Sequence, residues 1–342
     1  YDLAQIASKH IGFNHHTLIP PKVISLDDLV DMIIACETPN HVWGPINQYL
    51  LLRYIHADHG LHVLLDGQGA DEVFSGYAWF FPAIKEHVFQ TYGAEEASLL
   101  NAAHFSKPPF SLPVLTSFHQ TFFSRRKWIE ASDGGALASL GLSLEELLGY
   151  EPVNYYLNDK LDWPSFRRQE FYRRELQYLL RQEDRLAMWF SIESRVPFLD
   201  HTFVDRAGMI SPTFLVRDGY LKYPLRILFP ELPYEVRFNV PKRGFWEEYA
   251  ILPNFEEISR LALKQSKGLS KLIRHPEMVD KLSTQALWRF FQIAVLLEAG
   301  TRDEGKAWLH NLRRNLPRRT LAVYPWIERM RRRAESVLKR LA

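Results

Sequence analysis

Three acidic side chains, Asp66, Asp71 and Glu72, crowd a turn punctuated by Gly67 and Gly69 in the stretch VLLDGQGADEVFSGY, residues 63–77. The apolar run before it reads as a short buried strand, Leu61–Leu65, and a helix is expected to begin near Ala70-Asp71-Glu72. The two glycines permit tight backbone angles and close approach of a ligand. Free N–H groups at a helix start suit an anion such as phosphate, yet the side chains carry the wrong sign. No Gly-Lys-Ser/Thr follows, so this is not a P-loop. Carboxylates beside phosphates need a bridging cation. Magnesium, held by one or two carboxylates plus phosphate oxygens, is the usual solution. The turn therefore reads as an edge for a magnesium nucleotide. The bland alternative is a helix whose first-turn acids merely suit its dipole.

The elements that would position these groups follow from the flanking pattern. Ser25–Cys36 reads as a helix capped by Ser25, with Asp27 and Asp28 in its first turn and one apolar stripe. ETPNHVWGPIN, residues 37–47, reads as a loop, and Ile46–His59 as a second helix. The order helix, strand, glycine turn, helix is an α/β unit, and such sheets bind ligands beyond the carboxyl ends of their strands. PPFSLP at 108–113 and SDGGA at 132–136 read as loops. Pro164 opens a long helical pattern with Tyr172, Leu176, Leu179 and Leu180 on one face. Arg195-Val196-Pro197 reads as the end of the next helical stretch, with Asp200 capping another helix. Lys222 stands just before Pro224, which suits a first helical turn. Read alone, Lys222 is an ordinary surface lysine.

The bulk properties narrow the field. The chain has 342 residues, 46% of them hydrophobic, and a formal net charge of +2. That is a globular composition with no whole-chain charge for nucleic acid. The single cysteine, Cys36, allows no internal disulfide and fits a reducing, cytoplasmic setting. No segment reads as a signal peptide or a membrane span. The first residue is Tyr1, so a fragment or processed product is expected. From Thr301 onward twelve basic residues face four acidic ones. This reads as a solvated helical tail, or as a docking arm for an acidic partner or membrane surface.

Three motifs in order resemble one family. DGQGADEVFSGY is similar to Ser-Gly-Glu-Gly-Ser/Ala-Asp-Glu-Leu/Val-Phe-Gly-Gly-Tyr. DRLAM with ESRVPFLD is similar to Asp-Arg-x-Ser-Met with Glu-x-Arg-x-Pro-Phe-Leu-Asp. Lys222 with Leu225-Arg226, then RFNVPKRGF, is similar to Lys-x-x-Leu-Arg with Arg-x-x-Lys-x-Gly-Phe, its lysine one place further along. ALWRFFQIAVL resembles the same family's late Leu-Trp helix. Over residues 1–300 the chain resembles the C-terminal synthetase domain of glutamine-hydrolysing asparagine synthetases, and residues 301–342 form a separate basic helical tail.

The resemblance implies an ATP-pyrophosphatase-type α/β fold, rich in helix, and soluble cytoplasmic chemistry. A substrate carboxylate, aspartate in the family, attacks the α-phosphorus of ATP to give an acyl-adenylate and pyrophosphate. Ammonia from glutamine then displaces AMP. It implies Asp71 as the Mg²⁺ ligand, and Asp66, Gly67 and Gly69 as nucleotide-binding positions. Lys222, Gln68 and Glu72 are implied as catalytic, Lys222 stabilising charge on phosphate or carbonyl. Arg195 is expected to pair with a carboxylate. Glu183, Asp184 and Glu193 lie near the site without an assigned orientation. Small-molecule partners are implied, no nucleic acid, and a homodimer is compatible.

Two departures shape the expectation. Gln68 stands where the family has glutamate; a glutamate takes a proton from ammonium, and glutamine only orients through hydrogen bonds. Related β-lactam-forming enzymes carry a tyrosine there. The family's pyrophosphate loop, Ser-Gly-Gly-x-Asp-Ser, and the N-terminal glutaminase domain with its Cys nucleophile are not in this sequence. Cys36, inside a helix, does not replace that nucleophile. Three functions remain open: asparagine synthesis, amidation or condensation of another carboxylate in a surface-polysaccharide or natural-product pathway, and a non-catalytic partner.

Overall fold

The computed structural model describes residues 2–19, 21, 24–40, 44–77, 80–100, 141, 163–173, 175–238, 254–299 and 302–315. The loops expected at 108–113 and 132–136, and most of RFNVPKRGF, lie outside the described residues. In chain order the elements that bear on function are α1 (Asp2–Ile11), α2 (Leu26–Cys36), α3 (Gly44–Tyr54), β1 (Val63–Leu65), α4 (Ala70–Phe74), α5 (Phe81–Tyr92), α6 (Trp163–Arg173) and α7 (Glu175–Trp189). There follow β2 (Glu193–Arg195), α8 (His201–Gly208), α9 (Pro212–Leu215), β3 (Val216–Arg217), β4 (Tyr220–Leu221), α10 (Tyr223–Leu228), α11 (Tyr234–Arg237), α12 (Phe255–Gln265), α13 (Thr284–Glu298) and α14 (Arg302–Asn315). The result is a helix-rich α/β protein. Among the described residues no helix is long and apolar enough to cross a membrane.

The chain divides into two compact units. One is drawn from Tyr1–Ile19, Asn47–Ser132 and Ser143–Trp246, the other from Pro20–Ile46, Asp133–Leu142 and Glu247–Ala342. The first holds every candidate site residue. Its core is aromatic: Phe80, Phe81, Trp163 and Phe166 are fully enclosed with Val73 and Phe74 of α4. Phe80 meets Phe166 edge-on at 5.4 Å between ring centroids, a favoured aromatic geometry. The short helix α4, too short to be stable alone, is thus held by its apolar side while its acids face the turn.

The second unit is helical among the described residues. α2 starts as expected, its Ser25 Oγ accepting from the Asp28 N–H at 3.0 Å. Ser25→Ala should therefore cost about 1 kcal/mol of stability, measured by chemical denaturation. Trp288 and Phe291 of α13 are buried and pack on Phe255 of α12. Gln292 of α13 accepts from the Asn40 N–H and donates to the Asn40 carbonyl, each at 2.8 Å, closing a buried amide exchange. Leu309 and Leu312 of α14 are buried, so this first part of the basic segment rests on the core.

Four sequence expectations are corrected. Arg195-Val196-Pro197 does not end a helix: α7 stops at Trp189, and Glu193–Arg195 is a strand. It pairs in parallel with β1, Leu64 opposite Ser194. Its residues have no strand pattern, and pairing with a distant apolar strand overrides local preference. The strand expected over Leu61–Leu65 is confined to Val63–Leu65, although the His62 carbonyl still accepts from the Glu193 N–H at 2.7 Å. Nor is it buried: Val63 is 44% and Leu65 76% exposed, because no described element packs on those side chains. Finally, Tyr172 is exposed although Leu176 is buried, because the expected single helix is two, α6 and α7. Asp200 does cap α8, accepting from the Phe203 N–H at 3.1 Å.

Candidate functional site

The site is built where β1 ends. The Asp66 N–H donates to the Arg195 carbonyl at 2.8 Å, the last rung of the parallel ladder. The Asp66 carboxylate then turns back and accepts from the Gln68 N–H at 2.8 Å, a local turn of the kind aspartate favours. Of the two glycines only Gly69 is left-handed, at φ 89°. A side chain there would also overlap Leu199. Gly67 has open space around it, so its use is room rather than backbone strain. α4 begins at Ala70 as expected, and Asp71 and Glu72 diverge in its first turn.

Glu72 points inward. It is 1% exposed and its Oε1 accepts from the Tyr77 hydroxyl at 2.8 Å. Burial together with the Glu72 and Asp71 charges pushes the Tyr77 hydroxyl well above its usual range. Burial, then the Glu72 charge, raises Glu175 of α7. Arg167 of α6 donates to the Val73 carbonyl at 3.0 Å and ties the end of α4 down.

Asp71 points the other way, toward Lys222. The Lys222 Nζ lies 2.9 Å from Asp71 Oδ1, with the two side chains 28% and 24% exposed. Lys222 is delivered by a tight hairpin. β3 and β4 are antiparallel, and the turn between them, Asp218-Gly219, is left-handed at both residues (φ 49° and 78°), as a two-residue hairpin requires. Lys222 follows at once with φ 54°, also left-handed, and α10 starts behind it with Pro224 in its first turn. Ser75, closing α4, is a third left-handed residue at φ 57°. Strained backbone on both sides of one ion pair is the pattern of a built site. Gly76 makes the pair sterically feasible. Any Cβ there would stand well inside van der Waals contact of Asp71 Oδ1 and Lys222 Cε.

Other motif residues are framework. Arg226 donates to the Leu221 carbonyl at 2.7 Å and to the Arg237 carbonyl, joining the hairpin, α10 and α11. Its planar head also lies over the Tyr220 ring. Arg195 pairs with Glu193 at 2.8 Å in the open, the carboxylate partner expected of it. Cys36 is buried at the end of α2. Among the described residues no three His, Cys, Asp or Glu side chains gather as a metal cluster.

The Asparagine synthase family model matches residues 1–300. The chain belongs to the asparagine synthase family. It is 26% identical over 239 residues to asparagine synthetase [glutamine-hydrolyzing] 3 of Bacillus subtilis (strain 168), a match covering 68% of this chain and 34% of that protein. To asparagine synthetase B [glutamine-hydrolyzing] of Escherichia coli (strain K12) it is 35% identical over 82 residues, 23% of this chain and 15% of that protein. The chain thus spans about a third or less of the curated relatives it matches. No solved structure matches.

Within this asparagine synthase-family chain, the structure brings Asp66, Gly67, Gln68 and Gly69 into one turn and joins Asp71 to Lys222. It turns Glu72 away into the core. Ser194 and Gly76 escaped the sequence reading. Ser194 gave no signal, since its partner strand lies far away in the chain. Gly76 gave a faint one, a small residue five places after Asp71.

Proposed function

We propose that this chain carries the synthetase chemistry of ATP-dependent amide formation through an acyl-adenylate, with aspartate as the carboxylate and glutamine-derived ammonia as the nitrogen donor. Family membership and the contact of Asp71 with Lys222 beside the strand-end turn support this reading; the contact is the observation that carries it. A soluble, cytoplasmic setting belongs to the same proposal, as do the ATP-pyrophosphatase fold and a loop-bearing glutaminase segment supplied from outside this chain.

The donor chemistry fits magnesium. Asp71 is a hard carboxylate, part-exposed at the turn, and magnesium characteristically takes one or two such ligands beside phosphate oxygens. Asp71 would hold the ion, which would supply charge neutralisation to the phosphates. The chain's own residues do the rest. The Asp66 carboxylate fixes the Gln68 N–H and with it the backbone that faces the nucleotide. Lys222 keeps a positive charge where negative charge develops on the α-phosphorus oxygens or the carbonyl. Glu72, held by Tyr77, fixes the helix from which Asp71 projects. Gln68, half-buried in the turn, orients the acceptor without taking its proton.

Gln68 also favours a second reading: amidation of a different carboxylate, in which the nitrogen nucleophile arrives neutral and needs no glutamate base. Substrate trials with aspartate and other carboxylates in one assay separate the two.

The test is magnesium-dependent ATP–pyrophosphate exchange on this chain supplied with the pyrophosphate-loop segment. Asp71→Asn should raise the magnesium requirement by about tenfold or more, since even outer-shell changes cost that much. Exchange with an unchanged magnesium dependence would remove Asp71 from the metal site.

A further inference from the structure

Glu183 of α7 is buried, 4% exposed, and belongs to no motif role assigned so far. Its Oε1 accepts from the Ser194 hydroxyl of β2. Its other oxygen is also enclosed, on the side of Asp66 at the end of β1. Two carboxyl groups therefore meet across the strand ends, one buried and one exposed. The charged groups facing Glu183 are Asp66 from β1 and Asp184 from its own helix, both negative. Two carboxylates at such range do not both stay ionised; one proton between them removes the repulsion and makes a hydrogen bond.

We propose that Glu183 and Asp66 share one proton, and that this proton fixes the Gln68 turn, making Glu183 a positioning residue of the site. The chain of contacts is continuous: Ser194 hydroxyl to Glu183, Glu183 to Asp66, Asp66 to the Gln68 N–H at 2.8 Å. Ser194 orients one face of Glu183, which leaves the other to carry the proton toward Asp66. When the proton leaves, a second negative charge opens beside Asp66, and the Asp66 carboxylate must move or exchange partners. The turn it holds moves with it. This deepens the nucleotide reading and rests on it in one respect: the turn being fixed is the one taken to face the nucleotide.

The pH range follows from the burial. Burial above all pushes the Glu183 carboxyl up to about 7, and the Asp66 charge adds to the rise. The Ser194 hydrogen bond works in the opposite direction. A group raised in the fold binds its proton more tightly there than in the unfolded chain. Its stabilisation is complete below the ordinary glutamate range and is lost as pH rises through about 7.

The experiment needs no turnover. In the full chain, with Glu carboxyl carbons and Gln amides isotopically labelled, the Glu183 carboxyl and the Gln68 backbone amide should titrate together with a midpoint near 7. Glu183→Gln, whose amide donates to Asp66 as a protonated acid does, should lose the titration and hold the Gln68 signal at its low-pH position. Glu183→Ala should lose the titration and displace that signal at every pH. A Gln68 amide indifferent to the Glu183 titration overturns the proposal. So does a Glu183 that titrates near 4.5, the ordinary value, or a Glu183→Gln signal displaced from the wild-type low-pH position. If Glu183→Ala does not fold, the wild type and Glu183→Gln alone decide. Mg-ATP is then added at both ends of the titration to the chain supplied with the loop segment. No binding at either end sinks the nucleotide reading and leaves the shared proton supported.

Discussion

Lys222→Ala lowers ATP–pyrophosphate exchange by about 10²-fold or more, the loss typical of removing one preorganised electrostatic donor. The expectation rests on how much structure is spent holding that ammonium. A left-handed hairpin turn precedes it, its own backbone is left-handed, and a proline-started helix follows. Nothing in packing alone calls for a strained lysine 28% exposed beside a carboxylate. Lys222→Arg should not restore the rate, because a guanidinium is broader and forked where the site is shaped for a point charge. Gln68→Glu should do the opposite of Lys222→Ala. Gln68 offers the phosphates no charge, so carboxylate-dependent exchange stays largely intact while the yield of amide from ammonia changes. The two variants are measured in parallel for exchange and amide yield, on the chain supplied with the loop segment. Abolished exchange in Gln68→Glu with normal exchange in Lys222→Ala would reverse the assigned roles.

What was legible in the sequence was local. The Ser25 cap, the helix start at Ala70, the Asp200 cap and the proline start behind Lys222 each depend on a few adjacent residues, and each formed where expected. The parallel strand at Val63–Leu65 was legible as a strand, yet its partner Glu193-Ser194-Arg195 was not. That pairing is decided by residues distant in sequence, and Glu, Ser and Arg carry no period-two apolar pattern. The exposure of Leu65 was hidden for the same reason, since a strand's sequence does not say what covers it. The Asp218-Gly219 hairpin is a missed local signal: aspartate before glycine between two short strands. The meeting of Asp71 with Lys222 was reachable only through family resemblance, because no spacing rule joins residues so far apart. The orientation of Glu72 and Glu183, one beneath Tyr77 and one beneath Asp66, needed the fold itself.

The same geometry makes Gly76→Ala a sharper probe than its size suggests. Gly76 is not left-handed, so alanine costs no backbone strain there, and glycine-to-alanine at a compatible site is ordinarily neutral or stabilising. The added methyl meets only the far ends of two side chains, the Asp71 carboxylate and the Lys222 Cε. Those ends move and the backbone stays. The variant therefore keeps both charges and the fold but separates the pair, and displacement of reacting groups by about 1 Å is enough for a loss of roughly 10²-fold. Thermal unfolding should be near that of the wild type while exchange falls toward the Lys222→Ala level. The decisive measurement is the double variant. If Gly76 acts by seating Lys222 against Asp71, adding Gly76→Ala to Lys222→Ala costs little further, because the contact it breaks is already gone. Full additivity of the two losses would mean that Gly76 supports the site by another route, and normal exchange in Gly76→Ala would remove the ion pair from the working arrangement.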